Sequence, residues 1–420
     1  MKRVLIITYY WPPNGGAGVQ RWLKMAKYLP QFGWQPVVYT PSNPEIITAD
    51  PTLGKEVPSL VEVVKRPITE PYTFYKRLTG RNADDKVHLG FLKEEKKKSW
   101  REDLAVWIRG NAFIPDARVW WVGASVKFLM SYLEEHPVDA IVSTGPPHSM
   151  HLIALGLKKK FPSLRWVADW RDPWTNIDFY DQLKLTGWAD RKHHRLEREV
   201  VRTADANVAV GWTMAEELRA LGSRSTHVIT NGYDPADVPS PPEPVDDEFS
   251  LVHVGSMTAT RDVPQVWQAL KELCASDAVF ASKLRIRFIG AVDHGVLASL
   301  EKQGLSGMVE RTGSVDHAEA MRAMQRARVL LLSVNDTANA KGVLTSKVFE
   351  YLSVGRPILG VGPNDGDIAR VLAPPHLLVD RQSGSIDLAA VRALFDQRGP
   401  VTGQAASRVD GARMMGEVLG

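Results

Sequence analysis

Short apolar runs alternate with segments whose apolar residues return every three or four positions. In the first half the runs are VLIITY (4–9), PVVYT (36–40), DAIVST (139–144), RWVADW (165–170) and ANVAVG (206–211). Between them lie segments such as SMHLIALGLKKK (149–160) and DRKHHRLEREVVRTA (190–204). Near-continuous apolar runs read as strands buried on both faces, so the alternation predicts a parallel sheet with helical crossovers. The pattern starts again with SLVHVG (250–255), LRIRFIG (284–290), RVLLLSV (328–334) and RPILGVG (356–362). Its helices include DVPQVWQALKELCA (262–275) and TSKVFEYLSVG (345–355). Between the two series, NGYDPADVPSPPEPVDDEF (231–249) is rich in proline and acid and has no apolar period, as a linker does.

The chain therefore reads as two Rossmann-like α/β halves, 1–230 and 250–402, joined through 231–249, with no clear repeat between them. Residues 41–135 hold few strand-like runs and much proline and charge, as an elaboration of the first domain would. A length of 420 residues suits two domains. The apolar share of 44% and charged share of 24% are those of an ordinary globular protein. A net charge of +4 does not call for nucleic acid. Cys274 is the single cysteine, which excludes an intrachain disulfide or a cysteine metal cluster and suits a reducing compartment. No stretch approaches the ~18 apolar residues of a spanning helix, and MKRVLIITYYWPP breaks too early for a signal peptide. The expectation is a cytoplasmic protein, with peripheral contact to the inner face of a membrane left open.

Chemistry concentrates where strands give way to helices. YYWPPNGGAGVQRW (9–22) runs from the first strand into a helix through two prolines and three glycines. Glycines let a ligand approach the backbone, and the helix N-terminus beyond attracts an anion. Gly16 and Gly18 match the dinucleotide fingerprint, but its third position is Arg21 and Thr40 stands where the ribose-binding acid belongs. A nicotinamide or flavin is thus disfavoured, and a backbone cradle for a phosphate is preferred over a plain connecting loop. In SMTATRDVP (256–264), Arg261 can reach an anion at a helix start, or serve as a solvated surface residue. In KGVLTSKVFEYLSVGRPIL (341–359), Thr345 or Ser346 can cap a helix, and Glu350 can accept hydrogen bonds from a cis-diol or face solvent.

TGPPHSMH (144–151) and ADWRDPWTN (168–176) follow first-half strands and so lie at the sheet's carboxyl edge, where open α/β proteins bind ligands. His148 and Asp172 are the candidates there, although Asp172 followed by Pro173 also fits a helix cap. His148 and His151 lack a further ligand for a metal, and no metal site is expected. The DGD triplet (365–367) reads as a cap, and His193 and His194 as a solvated face. Finally, KEEKKKSWREDLAVWIRGNAFIPDARVWW (93–121) alternates Trp100, Trp107, Phe113, Trp120 and Trp121 with Lys96, Lys97, Lys98, Arg101, Arg109 and Arg118. It could lie in a membrane interface, but aromatics folded onto the first domain are the preferred reading.

The order of these stretches resembles the retaining GT-B glycosyltransferases called family 4, or group 1. FEYLSVGRPIL is similar to that family's donor-site helix, VITNGYD (228–234) to its NG-D signature, and ADWRDPW to an RD-W stretch of enzymes acting on surface polysaccharides. The resemblance implies two Rossmann-like domains facing each other across a cleft, with a last helix at about 403–420 returning to the first domain. It implies a nucleotide-diphosphate sugar as donor, a glycan or lipid-linked acceptor, retention at the anomeric carbon, no cofactor and no metal. Glu350 would bind the ribose hydroxyls, Arg261 the phosphates, and Gly16, with Gly18 in the same cradle, the distal phosphate. Lys347 is a further candidate for that charge. Two departures stand out: Gly342 occupies the place of the family's first glutamate, and Ser256 that of its phosphate-binding arginine. Backbone N–H groups of Gly342 and Val343 would then meet the sugar, and His148 and Asp172 would lie on the acceptor side. A GT-B sugar-nucleotide epimerase and a non-catalytic scaffold are the alternatives.

Overall fold

The computed structural model describes residues 1–46, 50–69, 100–383, 385–401 and 405–420. Lys96, Lys97 and Lys98 of the basic-aromatic segment lie outside them, as do the side chains of Trp100 and Arg101. The chain divides into two compact units, Met1–Thr230 with Arg408–Gly420, and Asn231–Ser407.

The first unit holds seven strands: β1 (Lys2–Ile7), β2 (Trp34–Pro41), β3 (Glu62–Arg66), β4 (Ala140–Gly145), β5 (Arg165–Trp170), β6 (Ala206–Ala209) and β7 (Thr226–Val228). They form one parallel sheet in the order β3-β2-β1-β4-β5-β6-β7. Successive strand residues point to opposite faces, so the unit has a core on each side. Leu5, Ile7, Ile141 and Ala168 pack in one, Val4, Ile6, Val142 and Val167 in the other. The crossovers supply α1 (Ala17–Tyr28), α2 (Trp100–Ala112), α3 (Val119–Glu135), α4 (Ser149–Lys160), α5 (Gly187–Thr203) and α6 (Trp212–Ala220).

The second unit holds β8 (Phe249–Val254), β9 (Leu284–Ile289), β10 (Val309–Thr312), β11 (Val329–Ser333), β12 (Ile358–Val361) and β13 (Leu377–Val379), parallel in the order β10-β9-β8-β11-β12-β13. Its helices are α7 (Pro264–Ser276), α8 (Ala278–Lys283), α9 (His294–Lys302), α10 (His317–Arg326), α11 (Lys347–Ser353) and α12 (Leu388–Asp396). The last helix, α13 (Arg408–Leu419), belongs to the first unit. It buries Ala412, Met415, Val418 and Leu419 in the core that also holds Met25 and Trp34. Arg165 ties it down by donating to the Val418 carbonyl at 2.9 and 2.7 Å.

In each sheet the strand order reverses once, between β1 and β4 and between β8 and β11. Such a switch point opens a crevice at the strands' carboxyl ends, where ligands of doubly wound proteins bind.

Several local expectations need correction. Helix α11 begins at Lys347, and neither Thr345 nor Ser346 caps it with a side chain: Ser346 sits at the N-cap in helical conformation without a side-chain hydrogen bond. No helix follows Asp172–Pro173 directly, so Asp172 caps nothing; residues 171, 172 and 174–176 form bends. Asp365 of DGD pairs with Lys341, and the short turn Asp367–Arg370 has Gly366 at its N-cap and no side-chain cap. His193 is buried, accepting a hydrogen bond from Trp174 Nε1 at 3.0 Å, while His194 is exposed. The aromatics of 93–121 divide: Trp121 is buried and stacked on Tyr39 at 4.9 Å, whereas Trp107 and Trp120 are exposed.

Candidate functional site

In the second unit, charge collects around the carboxyl end of β8. The residue after the strand is Gly255, whose φ of +106° only glycine adopts readily. A Cβ there would collide with Lys347 Nζ and Cε, so the lysine lies across the glycine's backbone. Arg261 stands in a short turn after the same strand. Its Nε donates to Asn335 Oδ1 at 2.6 Å and its Nη1 to the Ser256 carbonyl at 3.0 Å. Asn335 follows β11, so this hydrogen bond spans the switch point. Burial lowers the Lys347 pKa, the Arg261 charge lowers it further, and Glu350 opposes both. Arg261 is likewise held below its usual value by burial. Two half-buried cations near one another favour an anion that neutralises both. Glu350 is half-buried on α11, one turn on from Lys347.

The sugar contact expected of Gly342 and Val343 is not available. The Gly342 amide donates to the Asn339 carbonyl at 3.0 Å and the Val343 amide to Ala340 at 3.1 Å. Both are spent inside the turn Ala340–Gly342.

In the first unit the glycine loop and the His148 loop flank the β1/β4 switch point. Gly16 is exposed, has φ +90° and would place a Cβ in open space. Its carbonyl accepts from Val19 at 3.0 Å and Gln20 at 3.2 Å, which starts α1. Gly18 has a different function: a Cβ there would lie 2.6 Å from Arg171 Nη1. Its missing side chain makes room for that guanidinium. Arg171 also donates to Thr144 Oγ1 at 3.1 Å and to the Pro146 carbonyl. Asn14, in the same loop, is buried with Nδ2 unpartnered.

Behind the loop, Arg21 and Asp169 form a fully buried ion pair at 2.7 Å. Trp22 Nε1 at 2.7 Å and Thr144 Oγ1 at 2.8 Å complete the carboxylate's shell. Burial raises the Asp169 pKa, but the Arg21 charge and these donors outweigh it, and the net shift is downward. Arg21 thus fills the fingerprint's third position as an interior strut.

His148 is buried and stacks on Trp174 at 4.9 Å. Burial, then the His151 and Arg171 charges, hold its pKa well below the imidazole range. His151 is fully buried and falls to about 3, chiefly by desolvation. Both rings are therefore neutral at pH 7. The helix that follows His148 and contains His151 is capped from afar, since Ser149 N and Oγ donate to Asp116 at 2.9 and 2.8 Å. Asp172 is exposed at the same sheet edge.

Sequence reasoning missed Arg171, Asn14 and the Arg21–Asp169 pair. For the first and last the signal was present: RD in ADWRDPW puts an arginine directly after a strand end, and an arginine inside an apolar helix face implies a buried acid. Among the described residues, no group of three or more His, Cys, Asp or Glu side chains is placed to hold a metal ion.

Two parallel Rossmann-like sheets, each with charged or polar side chains at a switch point, are the architecture of the GT-B fold. The chain belongs to the family described as the glycosyl transferase 4-like domain, whose model matches residues 15–232, just over half the chain. Solved structures agree on the fold. Sucrose-phosphate synthase from Thermosynechococcus elongatus is 13% identical, with 100% of this chain and 95% of that one covered and a TM-score of 0.55. WaaG, a glycosyltransferase involved in lipopolysaccharide biosynthesis, is 14% identical, with 99% and 95% covered and a TM-score of 0.51. A trehalose-6-phosphate protein from E. coli, bound with UDP-2-fluoro glucose, is 12% identical, with 99% and 95% covered and a TM-score of 0.54. No curated protein matches the sequence.

Proposed function

We propose that this glycosyltransferase moves a sugar, with retention, from a nucleoside-diphosphate sugar to a hydroxyl acceptor in cell-surface polysaccharide or glycolipid synthesis. The observation that carries the reading is the pair of cations, Arg261 and Lys347, beside Gly255 with Glu350 one turn away. The cations take the diphosphate, and Glu350 accepts from the ribose hydroxyls. Lys347 assumes the charge that Ser256 cannot supply.

In the reaction the bond from the anomeric carbon to the phosphate oxygen breaks. A bond to the acceptor oxygen forms on the same face, and the acceptor's proton passes to the departing diphosphate. Stabilising that leaving group is the main contribution of the protein. On the first unit, the Gly16 backbone and Arg171 offer further anion contacts, and Asp172 is an exposed acceptor-side group. We assign His148 the part of a neutral hydrogen-bonding partner, since burial lowers the basicity of its ring. The charges are carried by side chains, and no metal or cofactor enters the scheme.

Calorimetry with UDP, GDP, dTDP and ADP on wild type and Glu350→Ala tests the reading. One diphosphate bound by the wild type and lost by the variant is expected. If none binds, the enzymatic reading fails. Turnover of a donor sugar with no acceptor present would instead indicate an epimerase.

A further inference from the structure

Every exposed large aromatic side chain among the described residues lies in one part of the first unit: Trp188 (59% exposed), Trp120 (57%), Trp107 (44%) and Phe179 (43%). Leu104 is exposed beside them. These residues come from separate stretches that are fastened together. Asn111, at the end of α2, donates to the Lys184 carbonyl at 3.2 Å and accepts from Thr186 N at 2.7 Å. Phe113 meets Trp120 edge-on at 5.2 Å. Tyr180 donates to Asp190 on α5 at 3.0 Å.

Helix α5 explains why this surface is not merely apolar. It buries Ala189, His193, Glu197, Val200 and Val201. The opposite face presents Trp188, Arg191, Arg195, Arg198 and Arg202, spaced three, four and seven residues apart as one helical stripe requires. Nearby acids are already engaged. Glu199 pairs with Lys159 at 2.7 Å, Asp190 meets His194 at 3.2 Å, and Glu197 bonds Thr175. Among the described residues no carboxylate pairs with Arg191, Arg195 or Arg198, and these arginines line a shallow concavity with Arg202, His194 and the already engaged Asp190 and Glu199. Asp178 and Asp181 flank Phe179, so the positive field belongs to the helix and not to the loop.

We infer that this surface docks on an anionic lipid bilayer, with the tryptophans in the interface and the arginines on lipid phosphates. Tryptophan rings favour the boundary between headgroups and acyl chains, and basic residues beside them add attraction to anionic headgroups. The stripe of unpaired arginines selects lipid phosphate over an uncharged partner. This inference is independent of the reaction proposed above.

Flotation of the full chain with vesicles tests it, comparing phosphatidylcholine alone with phosphatidylcholine containing phosphatidylglycerol. Binding to the anionic vesicles only is expected. Replacing Arg191, Arg195 and Arg198 together by alanine is expected to weaken it on the order of 100-fold. Trp107→Ala with Trp188→Ala is expected to weaken it as well and to leave binding that high salt abolishes. All five positions are solvent-facing, and unchanged circular dichroism spectra would show that the variants fold. Equal flotation with both vesicle types, or flotation unaffected by the arginine variant, would overturn the inference. So would binding to a soluble sulfated polysaccharide with none to vesicles, which would make the stripe a glycan contact.

Discussion

At the scale of single residues, the two units place charge in opposite ways. In the second unit, Lys347 and Arg261 are half-buried near each other, and an anion would relieve that tension. Lys347→Ala is expected to weaken binding of the chosen nucleoside diphosphate about 10- to 100-fold while sparing the nucleoside, because one charge-assisted contact is lost. Calorimetry with both ligands measures this, and an equal loss for both would remove Lys347 from the phosphate site. Gly255→Ala tests the same geometry from the backbone side, since its Cβ would displace the lysine. In the first unit, Arg21 and Asp169 neutralise each other in a sealed interior. Asp169→Ala would strand a buried guanidinium and is expected to cost about 3–5 kcal/mol in urea unfolding. Arg21→Met with Asp169→Leu should recover much of that loss. If the double variant is as unstable as the single, the pair is held by something other than charge.

At the scale of elements, what was legible in the sequence follows from burial. Each long central run in the sequence is a strand in the structure. The strands without a predicted run, β3, β7, β10 and β13, are the four sheet edges. An edge strand has one partner and needs less apolar surface, so EVVKR and VERT are mostly exposed and carry no continuous run. The placement of candidate residues was legible where a motif fixes backbone position, as with Arg261 after β8 and Glu350 on α11. It was not legible where a role depends on a contact distant in sequence. Nothing in GGAG says that Gly18 clears space for Arg171, nor does KGV say that the Gly342 and Val343 amides turn inward. The last helix gives a further test at this scale. Removing Arg408–Gly420 takes Met415, Val418 and Leu419 out of the core, each worth about 1.5–3 kcal/mol. That sum rivals the roughly 5–15 kcal/mol by which a domain is stable. Truncation at Ser407 is therefore expected to abolish cooperative unfolding of the first unit while the second still unfolds cooperatively. Two intact transitions would show that the helix is dispensable.

At the scale of the whole molecule, buried histidines link stability to pH. His148, His151 and His193 in the first unit and His253 and His376 in the second are all buried, and desolvation lowers each pKa; His253 falls to about 4. The unfolded chain takes up these protons near pH 6.5. The folded protein does so only at lower pH. Between those values the unfolded state binds more protons, so stability rises with pH. The histidine contribution is complete above about pH 6.5 and declines as pH falls toward 4 and 3. Asp169, with its depressed pKa, adds to the loss only at lower pH still. Glu197 and Asp172 oppose the trend, since desolvation raises both carboxyl pKa values, but they are two groups against five. Urea unfolding at pH 7.5 and pH 5.0, about one and a half units on the acid side of the histidine reference value, should therefore differ in both units. The limit is about 1.4 kcal/mol per histidine for each pH unit below that value. His253→Phe keeps the ring volume without the proton site, and it is expected to flatten the pH dependence of the second unit alone. Identical urea midpoints at the two pH values would mean that the buried rings accept protons without cost, and the packing around them would have to be looser than their burial indicates.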